Sequence, residues 1–151
     1  MGDHTTAQML MRAPPERCFA AVADVERYPE WAADIKSVEV LERDGDGRPT
    51  VVAFRAAAFG RSTRYRLAYD YSRAPSELSW HQLQGDITSQ LDGAYRFEAT
   101  EDGDTEVTYH LAAALTVPIP GFVKRRAEGR IVQTALHELK ARIERDTADP
   151  A

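Results

Sequence analysis

The sequence predicts an α+β fold in which one antiparallel sheet of seven strands wraps around a single long C-terminal helix. The chain has 151 residues, the length of one domain, and 43% of them are apolar, which is enough for a hydrophobic core. Several segments alternate as strands do, and one long segment near the C-terminus has apolar residues at helical spacing. Because no helical pattern separates the last six strands, neighbouring strands should pair antiparallel through hairpins.

The N-terminal part of the chain is predicted to contain one strand and two short helices. The strand covers residues 6–12 and ends at two prolines. Pro15 suits the first turn of a helix, which we predict over residues 16–23, and a second helix follows at about residues 29–33. Helices this short are not stable alone, so we expect both to cap the sheet.

Six further strands are predicted in the middle of the chain. They are separated by turns rich in glycine, proline and aspartate, of which residues 44–47 form the strongest hairpin signal. The first of these strands begins at Ile35 and leads to that turn. The others cover residues 50–58, 63–72, 77–84, 89–99 and 105–117.

The last predicted element is a helix over residues 121–145, which follows two prolines that stop the preceding strand. Basic residues lie between its apolar positions in the sequence, so the helix has one wide apolar face and a basic opposite face. The whole chain, residues 1–151, is predicted to be a single domain with a core of about 6–145 and a frayed tail at 146–151. The apolar positions are Ala127, Ile131, Val132, Ala135, Leu136, Leu139 and Ile143.

The predicted elements leave a gap between the sheet and the long helix. A helix is about 10 Å across, whereas strands of ten residues are roughly 30 to 35 Å long. One helix therefore cannot fill the concave face of a strongly twisted seven-stranded sheet. We expect the gap to open where the two short helices lie.

Composition excludes several classes of protein. The net charge of −5 argues against nucleic acid as a partner. Cys18 is the single cysteine, so nothing requires an oxidising compartment. The sequence shows neither an apolar run of membrane-spanning length nor the apolar stretch of a signal peptide, and a cytoplasmic location is expected.

Metal and cofactor sites are not predicted. The histidines are scattered, and their spacing matches none of the usual metal-ligand patterns. No glycine-rich loop opens a helix, so a phosphate-binding cofactor site is not indicated. The sequence therefore predicts no metal and no cofactor.

The gap should be lined by the inner faces of the strands and roofed by the long helix. Its tyrosines combine an apolar ring with a hydroxyl group, which suits a mostly apolar ligand with a few oxygens. The alternative interpretation is that these aromatic side chains simply pack the core. The predicted ligand-binding residues are Trp31, Phe54, Tyr65, Leu67, Tyr69, Trp80, Gln82, Tyr95, Phe97, Tyr109, Phe122 and Ile131.

Four polar residues need a choice of orientation. Tyr69 and Gln82 form the best predicted pair for holding a ligand oxygen, although Gln82 could instead close a gap in the backbone hydrogen bonding. Alternation favours Arg55 on the solvent side of its strand, with the inward register as the alternative. His81 alternates with an apolar position and is expected on the solvent face.

A basic cluster lies at the start of the long helix, at Lys124, Arg125 and Arg126. A solvated helix face is its ordinary interpretation. The alternative is a transient contact with an anionic membrane surface during ligand delivery.

The chain resembles the polyketide cyclase/dehydrase family of the START-like, helix-grip superfamily, which also includes the Bet v 1 allergens and the coenzyme Q-binding proteins. The resemblance covers residues 6–144 and implies the helix-grip fold, while the activity varies within the superfamily. It rests on the order of elements and on the motifs Tyr28-Pro29-Glu30-Trp31, Asp92-Gly93-Ala94-Tyr95-Arg96-Phe97, Thr105-Glu106-Val107-Thr108-Tyr109 and Val117-Pro118-Ile119-Pro120-Gly121-Phe122.

The resemblance also bears on catalysis. Aromatase/cyclases of the family carry an aromatic residue, a serine and an arginine at the positions that correspond to Tyr65, Leu67 and Tyr69, and a tyrosine where this chain has Ile35. Leucine has no hydrogen-bonding group, and tyrosine cannot replace a permanent cation. Three interpretations follow: a protein that binds a lipid, isoprenoid quinone or polyketide-like molecule, a polyketide cyclase or dehydratase, or a partner-binding protein with a vestigial pocket.

Overall fold

The computed structural model describes residues 4–58 and 60–148, with side chains described as far as Arg145. The strands are β1 (His4–Met11), β2 (Ile35–Arg43), β3 (Pro49–Ala58), β4 (Arg61–Asp70), β5 (Glu77–Gly85), β6 (Thr88–Ala99) and β7 (Thr105–Leu115). The helices are α1 (Pro15–Ala23), α2 (Tyr28–Trp31) and α3 (Gly121–Ala148), with a 3₁₀ turn at Val25–Arg27 between α1 and α2.

The seven strands form one antiparallel sheet in the order β1-β7-β6-β5-β4-β3-β2. Every strand from β2 to β7 pairs with its neighbour in the chain, and β1 closes the sheet beside β7. Hairpin connections explain this order, because turns of a few residues can only join antiparallel neighbours. The predicted α+β fold, with its sheet around a long C-terminal helix, is confirmed.

Small differences from the predicted boundaries have local causes. The strand β7 ends at Leu115, two residues earlier than predicted, before the proline-containing connection to α3. The helix α3 continues to Ala148, because no helix-breaking residue precedes Pro150. The predicted frayed tail is therefore helical over its first three residues, 146–148, and its remainder lies outside the described residues.

The apolar side of α3 packs mainly on β1 and β7, at one edge of the sheet. Val132, Leu136, Leu139 and Ile143 are buried there, in agreement with the predicted helical spacing. Polar contacts hold the C-terminal half of α3 against the end of β1. A carboxylate oxygen of Glu144, Oε2, accepts the backbone N–H of Arg12 at 3.1 Å, and Lys140 Nζ donates to the Leu10 carbonyl at 3.2 Å.

The two short helices cover separate parts of the curved sheet, with α1 on β5 to β7 and α2 at the β2 edge. Buried Cys18 and Val22 of α1 face the core, and α2 lies beside β2 and α3. Because α3 rests on the β1 and β7 edge, the sheet curves away from it over β3 to β6. A space remains between them, as predicted.

Candidate ligand-binding cavity

The space between α2, α3 and the concave face of the sheet is a cavity of about 150 Å³. Small-molecule sites usually have about 300 to 1,000 Å³, so the cavity is smaller than most of them. It is lined by Tyr28, Trp31, Ala32, Asp34, Ile35, Phe54, Ala56, Ala57, Ala58, Thr63, Tyr65, Leu67, Tyr69, Trp80, Thr88, Leu91, Tyr95, Tyr109, Leu111, Ile131, Thr134, Ala135 and Glu138.

Most of the residues predicted from the strand pattern do reach this cavity. Their side chains alternate along β3 to β7, so that one face of every strand contributes to the wall. Ile131 comes from α3, and Trp31 from α2. The predicted residues that line the cavity are Trp31, Phe54, Tyr65, Leu67, Tyr69, Trp80, Tyr95, Tyr109 and Ile131.

Phe122 does not roof the cavity, and that prediction is wrong. Its side chain is 64% exposed, in the first turn of α3. The inward side of α3 is buried from Glu128 and Val132 onward, so the first turn of the helix is exposed to solvent. Helical spacing showed which residues share a face, but not where along its length the helix meets the sheet.

Phe97 and Gln82 also lie outside the cavity lining. Phe97 is buried, but its ring packs edge-on against Phe19 of α1, with ring centroids 5.9 Å apart. Both ends of the Gln82 side-chain amide bind Thr88. Gln82 Nε2 donates to the Thr88 carbonyl at 2.9 Å, and Gln82 Oε1 accepts a hydrogen bond from the Thr88 hydroxyl. Gln82 therefore closes a gap in the pairing of β5 with β6, which was the alternative prediction for it, and the predicted Tyr69–Gln82 pair is not assembled.

Arg55 and His81 are both exposed, and neither lines the cavity. Alternation explains this result, since Phe54 and Trp80 next to them are buried and face inward. The outward register of Arg55 is thus confirmed.

Tyr28 is a cavity residue that the sequence pattern did not reveal. Its hydroxyl donates to the Val22 carbonyl at 2.5 Å, across the connection between α1 and α2. Its ring packs against Trp31, with centroids 5.2 Å apart, and against Phe54, at 6.1 Å. The spacing of Tyr28 and Trp31, three residues apart on one helical turn, was the available signal.

The wall opposite α3 is a continuous series of aromatic rings. Ring centroids are 5.9 Å apart for Tyr69 and Trp80, 5.7 Å for Trp80 and Tyr95, and 4.5 Å for Tyr95 and Tyr109. The indole of Trp80 lies directly on the backbone of β6, where a Cβ atom at Gly93 would come within 2.5 Å of its ring. Packed rings of this kind are rigid, so the wall has a fixed shape.

The tyrosine hydroxyls make the cavity polar without making it charged. The protein has six tyrosines, and burial is the largest cause of a raised pKa in each of them. Tyr71, which lies beside the cavity and donates to the Pro49 carbonyl at 2.6 Å, has a pKa of about 12. The others have still more strongly buried hydroxyls: Tyr28, Tyr65, Tyr69, Tyr95 and Tyr109.

These raised pKa values predict the alkaline behaviour of the protein. Unfolded tyrosines lose their protons near pH 10, whereas the folded protein retains them. The free energy of unfolding should be unaffected below that pH and should fall as the pH rises above about 10. We expect an absorbance titration of the folded protein to show almost no phenolate near pH 10, while the protein in denaturant titrates fully. Substantial phenolate in the folded protein at that pH would mean that the cavity is open to water.

The charged groups of the described lining lie around residue 34, which is exposed and so marks a side of the cavity that is open to solvent, its mouth. Among the described lining residues, Asp34 and Glu138 are the only charged ones, and both are acidic. Asp34 is exposed and Glu138 is half-buried. Glu138 Oε2 also accepts the backbone N–H of Ala33 at 3.1 Å, which ties the connection before β2 to α3.

The positions that the family resemblance associates with catalysis do face the cavity. Ile35, Tyr65, Leu67 and Tyr69 are all in its lining. Within the described residues, the lining contains no serine, arginine, lysine or histidine. An enolate or oxyanion formed here would meet only uncharged donors from the described side chains of the wall, which are hydroxyl and indole N–H groups.

The described residues, 4–58 and 60–148, contain neither a candidate metal centre nor a membrane-spanning helix. Within these ranges, no three His, Cys, Asp or Glu side chains are grouped so that they could hold a metal ion. No helix in the same part of the chain is long and apolar enough to cross a membrane.

A curved antiparallel sheet that encloses a cavity against a C-terminal helix defines a START-like, helix-grip domain. The chain belongs to the family described as "Polyketide cyclase / dehydrase and lipid transport", whose sequence profile matches residues 11–140. No curated protein sequence was found to match the chain.

Solved structures with the same fold have low sequence identity. A START superfamily protein from Mycobacterium smegmatis has a TM-score of 0.88 and 23% identity, over 94% of this chain and 97% of the other. The Zhui aromatase/cyclase from a Streptomyces species has a TM-score of 0.84 and 16% identity, over 97% and 96% of the two chains. A protein from Thermus thermophilus has a TM-score of 0.81 and 23% identity, over 95% and 99%. At these identities, the similarity establishes the fold.

Proposed function

We propose that this protein binds a hydrophobic small molecule in the cavity between its sheet and α3, and that it carries this molecule without transforming it. The candidate ligands are a lipid, an isoprenoid quinone or a polyketide-like molecule. The observation that carries the proposal is the lining itself, in which aromatic rings and neutral hydroxyls surround a space that the protein leaves unfilled. The description of the family, which includes lipid transport, supports the same class of function.

The size of the cavity defines what can enter without rearrangement. A dry cavity of about 150 Å³ can bind a molecule the size of benzene. The cavity found here has a similar volume, so it accepts one ring or the end of a chain. A longer ligand requires the connection around Ala33 to separate from α3. Two polar contacts hold that side closed, the one from Glu138 to Ala33 and an ion pair of 3.1 Å between Arg142 and Glu30.

Cyclase or dehydratase activity is the second candidate, and the fold shared with the Zhui aromatase/cyclase favours it. Such chemistry needs a general base or a group that stabilises developing negative charge. The raised pKa values of the cavity tyrosines oppose a role as base, because these phenols keep their protons at neutral pH. A partner-binding protein with a vestigial pocket is the third candidate, and an empty protein that binds no small molecule would favour it.

We also propose that the protein acts in the cytoplasm and without nucleic acid. Its net charge of −5 would repel a phosphate backbone. Its one cysteine, Cys18, is free and buried.

Native mass spectrometry of protein purified from its own cells tests the main proposal. We expect a bound hydrophobic molecule that is released on unfolding. The purified, emptied protein should then bind naphthol, a fluorescent compound of two fused rings, one of which fits the cavity while the other extends toward its mouth. A protein that is empty and also fails to bind naphthol would contradict carriage. Conversion of a polyketide-like chain at a rate above the uncatalysed one would establish the cyclase alternative.

Replacement of Tyr69 by phenylalanine should weaken the binding of oxygen-bearing ligands. The hydroxyl of Tyr69 is buried at the cavity wall, and one lost hydrogen bond costs about 0.5 to 1.5 kcal/mol, or roughly two- to twelvefold in affinity. Naphthol should therefore bind more weakly to Tyr69→Phe, whereas naphthalene should bind equally well. Fluorescence titration with both ligands measures the difference.

Tyr71→Phe is the matched control, since Tyr71 directly follows β4, is buried but outside the cavity lining, and donates to the Pro49 carbonyl. It should leave both affinities unchanged. Equal naphthol binding by wild type and Tyr69→Phe would mean that the Tyr69 hydroxyl does not contact the ligand.

A further inference from the structure

The mouth of the cavity has a negative charge, and no cation is found among the described lining residues. Asp34 precedes β2, and the Glu138 carboxylate of α3 comes close to it, because it accepts the N–H of the neighbouring residue Ala33. Two basic groups lie close by. Lys36 Nζ donates to the Ala33 carbonyl at 2.9 Å and offsets part of the acidic charge, whereas the charge of Arg142 is balanced by Glu30. Neither Lys36 nor Arg142 is in the lining.

The described part of the interior offers no cation to an anionic ligand. Its polar side-chain groups are all uncharged: the hydroxyls of threonines and tyrosines and the indole N–H groups of Trp31 and Trp80. Moving an ionised carboxylate from water into such a site costs several kcal/mol unless a cation accompanies it. Two carboxylates at the mouth increase this cost, because like charges repel more strongly where water is partly excluded.

We propose that the cavity selects its ligand by charge: it accepts neutral molecules and cationic ones whose amine remains at the mouth, and it rejects carboxylates such as fatty acids. Glu138 is the specificity-determining residue, because it is half-buried and belongs to the long rigid helix, whereas Asp34 is exposed to solvent screening. This inference rests on the proposed ligand-binding function. It narrows the ligand to a neutral, oxygen-bearing hydrophobic molecule or an amine.

Three ring compounds that differ mainly in charge test this selection: naphthol, naphthoate and naphthylmethylamine. At neutral pH we expect wild-type protein to bind naphthol and the amine at least about tenfold more tightly than naphthoate, a difference of 1.4 kcal/mol. The variant Glu138→Gln keeps an oxygen that can accept the Ala33 N–H, and it should bind naphthoate several-fold more tightly without a change for naphthol.

Glu106→Gln is the matched control, because it removes an exposed carboxylate on β7 that is not part of the lining. It should reproduce the wild-type preferences. Naphthoate that binds to wild type as tightly as naphthol would overturn charge selection while leaving ligand binding intact. Failure of all three compounds to bind would overturn the proposed function, and charge selection with it.

A second, independent observation concerns the exposed start of α3. Phe122 and Val123 are 64% and 41% exposed, which is unusual for two adjacent apolar side chains at a helix end. Arg125, Arg126 and Arg130 follow Phe122 by three, four and eight positions, so all four side chains share one helix face, and all are exposed. We call Phe122, Val123, Arg125, Arg126 and Arg130 the α3 docking face.

The charge of the α3 docking face is not neutralised by its own helix segment. Between Gly121 and Arg130 the one acidic residue is Glu128, which is fully buried and pairs with Lys124 at 2.8 Å. The protein as a whole is acidic, with a net charge of −5, so this basic face would orient it toward an anionic surface. An exposed ring beside arginines is the combination that binds the headgroup region of an anionic bilayer.

We infer that the α3 docking face binds anionic phospholipid membranes, with Phe122 inserted among the headgroups. Sedimentation with vesicles tests this inference. Vesicles that contain phosphatidylglycerol should bind the protein and release it as salt is raised, while pure phosphatidylcholine vesicles should not. Each arginine near such a surface contributes about 1 kcal/mol, so Arg125→Gln with Arg126→Gln should weaken binding at least about tenfold.

Phe122→Ser should also release the protein from anionic vesicles. Leu83→Ser is the matched control, since Leu83 is an exposed apolar residue of β5, 53% accessible and remote in sequence from α3. It should bind vesicles as wild type does. No binding to phosphatidylglycerol vesicles, or equal loss in Leu83→Ser and Phe122→Ser, would overturn the assignment of this face.

Discussion

Replacement of Ala135 by leucine is expected to abolish ligand binding while leaving the protein folded. Ala135 lies on α3 and lines the cavity, which measures about 150 Å³. The added side-chain carbons would project into that space and occupy much of it. We expect the affinity for naphthol to fall at least about tenfold, the equivalent of 1.4 kcal/mol. The free energy of unfolding should stay constant or rise, because leucine is a good helix former and fills a void.

Ala141→Leu provides the matched control for this prediction. Ala141 belongs to the same helix but is exposed, so the same added carbons would lie in solvent. Its affinity for naphthol should equal that of wild type. If Ala135→Leu bound naphthol normally and was equally stable, the ligand would have to bind elsewhere on the protein.

Leu139→Ala is expected to have the largest effect on stability. Leu139 is fully buried, with 0% of its surface exposed, on the side of α3 that packs against the sheet. Removal of a buried leucine side chain costs about 2 to 5 kcal/mol, which includes the cavity that it leaves. Since domains of this size are stable by only about 5 to 15 kcal/mol, the midpoint of denaturant unfolding should fall markedly.

The corresponding control is His137→Ala, two residues away on the exposed side of the same helix. It should change the free energy of unfolding by less than about 0.5 kcal/mol. Urea unfolding followed by circular dichroism measures both variants. A loss near zero for Leu139→Ala would show that α3 does not seal the core.

The fold could be predicted because its signals are local and repetitive. Alternation along β4 placed Tyr65, Leu67 and Tyr69 on one face, and the structure turns that face inward. The spacing of Val132, Leu136 and Leu139 likewise predicted the buried side of α3. Turn residues then predicted hairpins, which order β2 to β7 but do not place β1, and the structure puts β1 beside β7.

The site was only partly predictable, because it depends on how these faces meet. Phe122 was predicted to roof the cavity, but it is exposed, ahead of the point where α3 reaches the sheet. Gln82 has the side-chain direction of a lining residue, but Thr88 uses its amide. Tyr28 and Glu138 came into the lining from α2 and α3, through the packing of distant segments.

By itself, the sequence determined the strands, the helices, their order and the inward faces, because these follow from side-chain periodicity and turn chemistry. Only the tertiary structure decided the cavity volume of about 150 Å³, the exposure of Phe122 and the presence of both Asp34 and Glu138 in the lining. The physical reason is that the cavity is the volume left between the curved sheet and the helix. Small shifts in how the sheet and the helix pack change this volume without any change in the local sequence pattern.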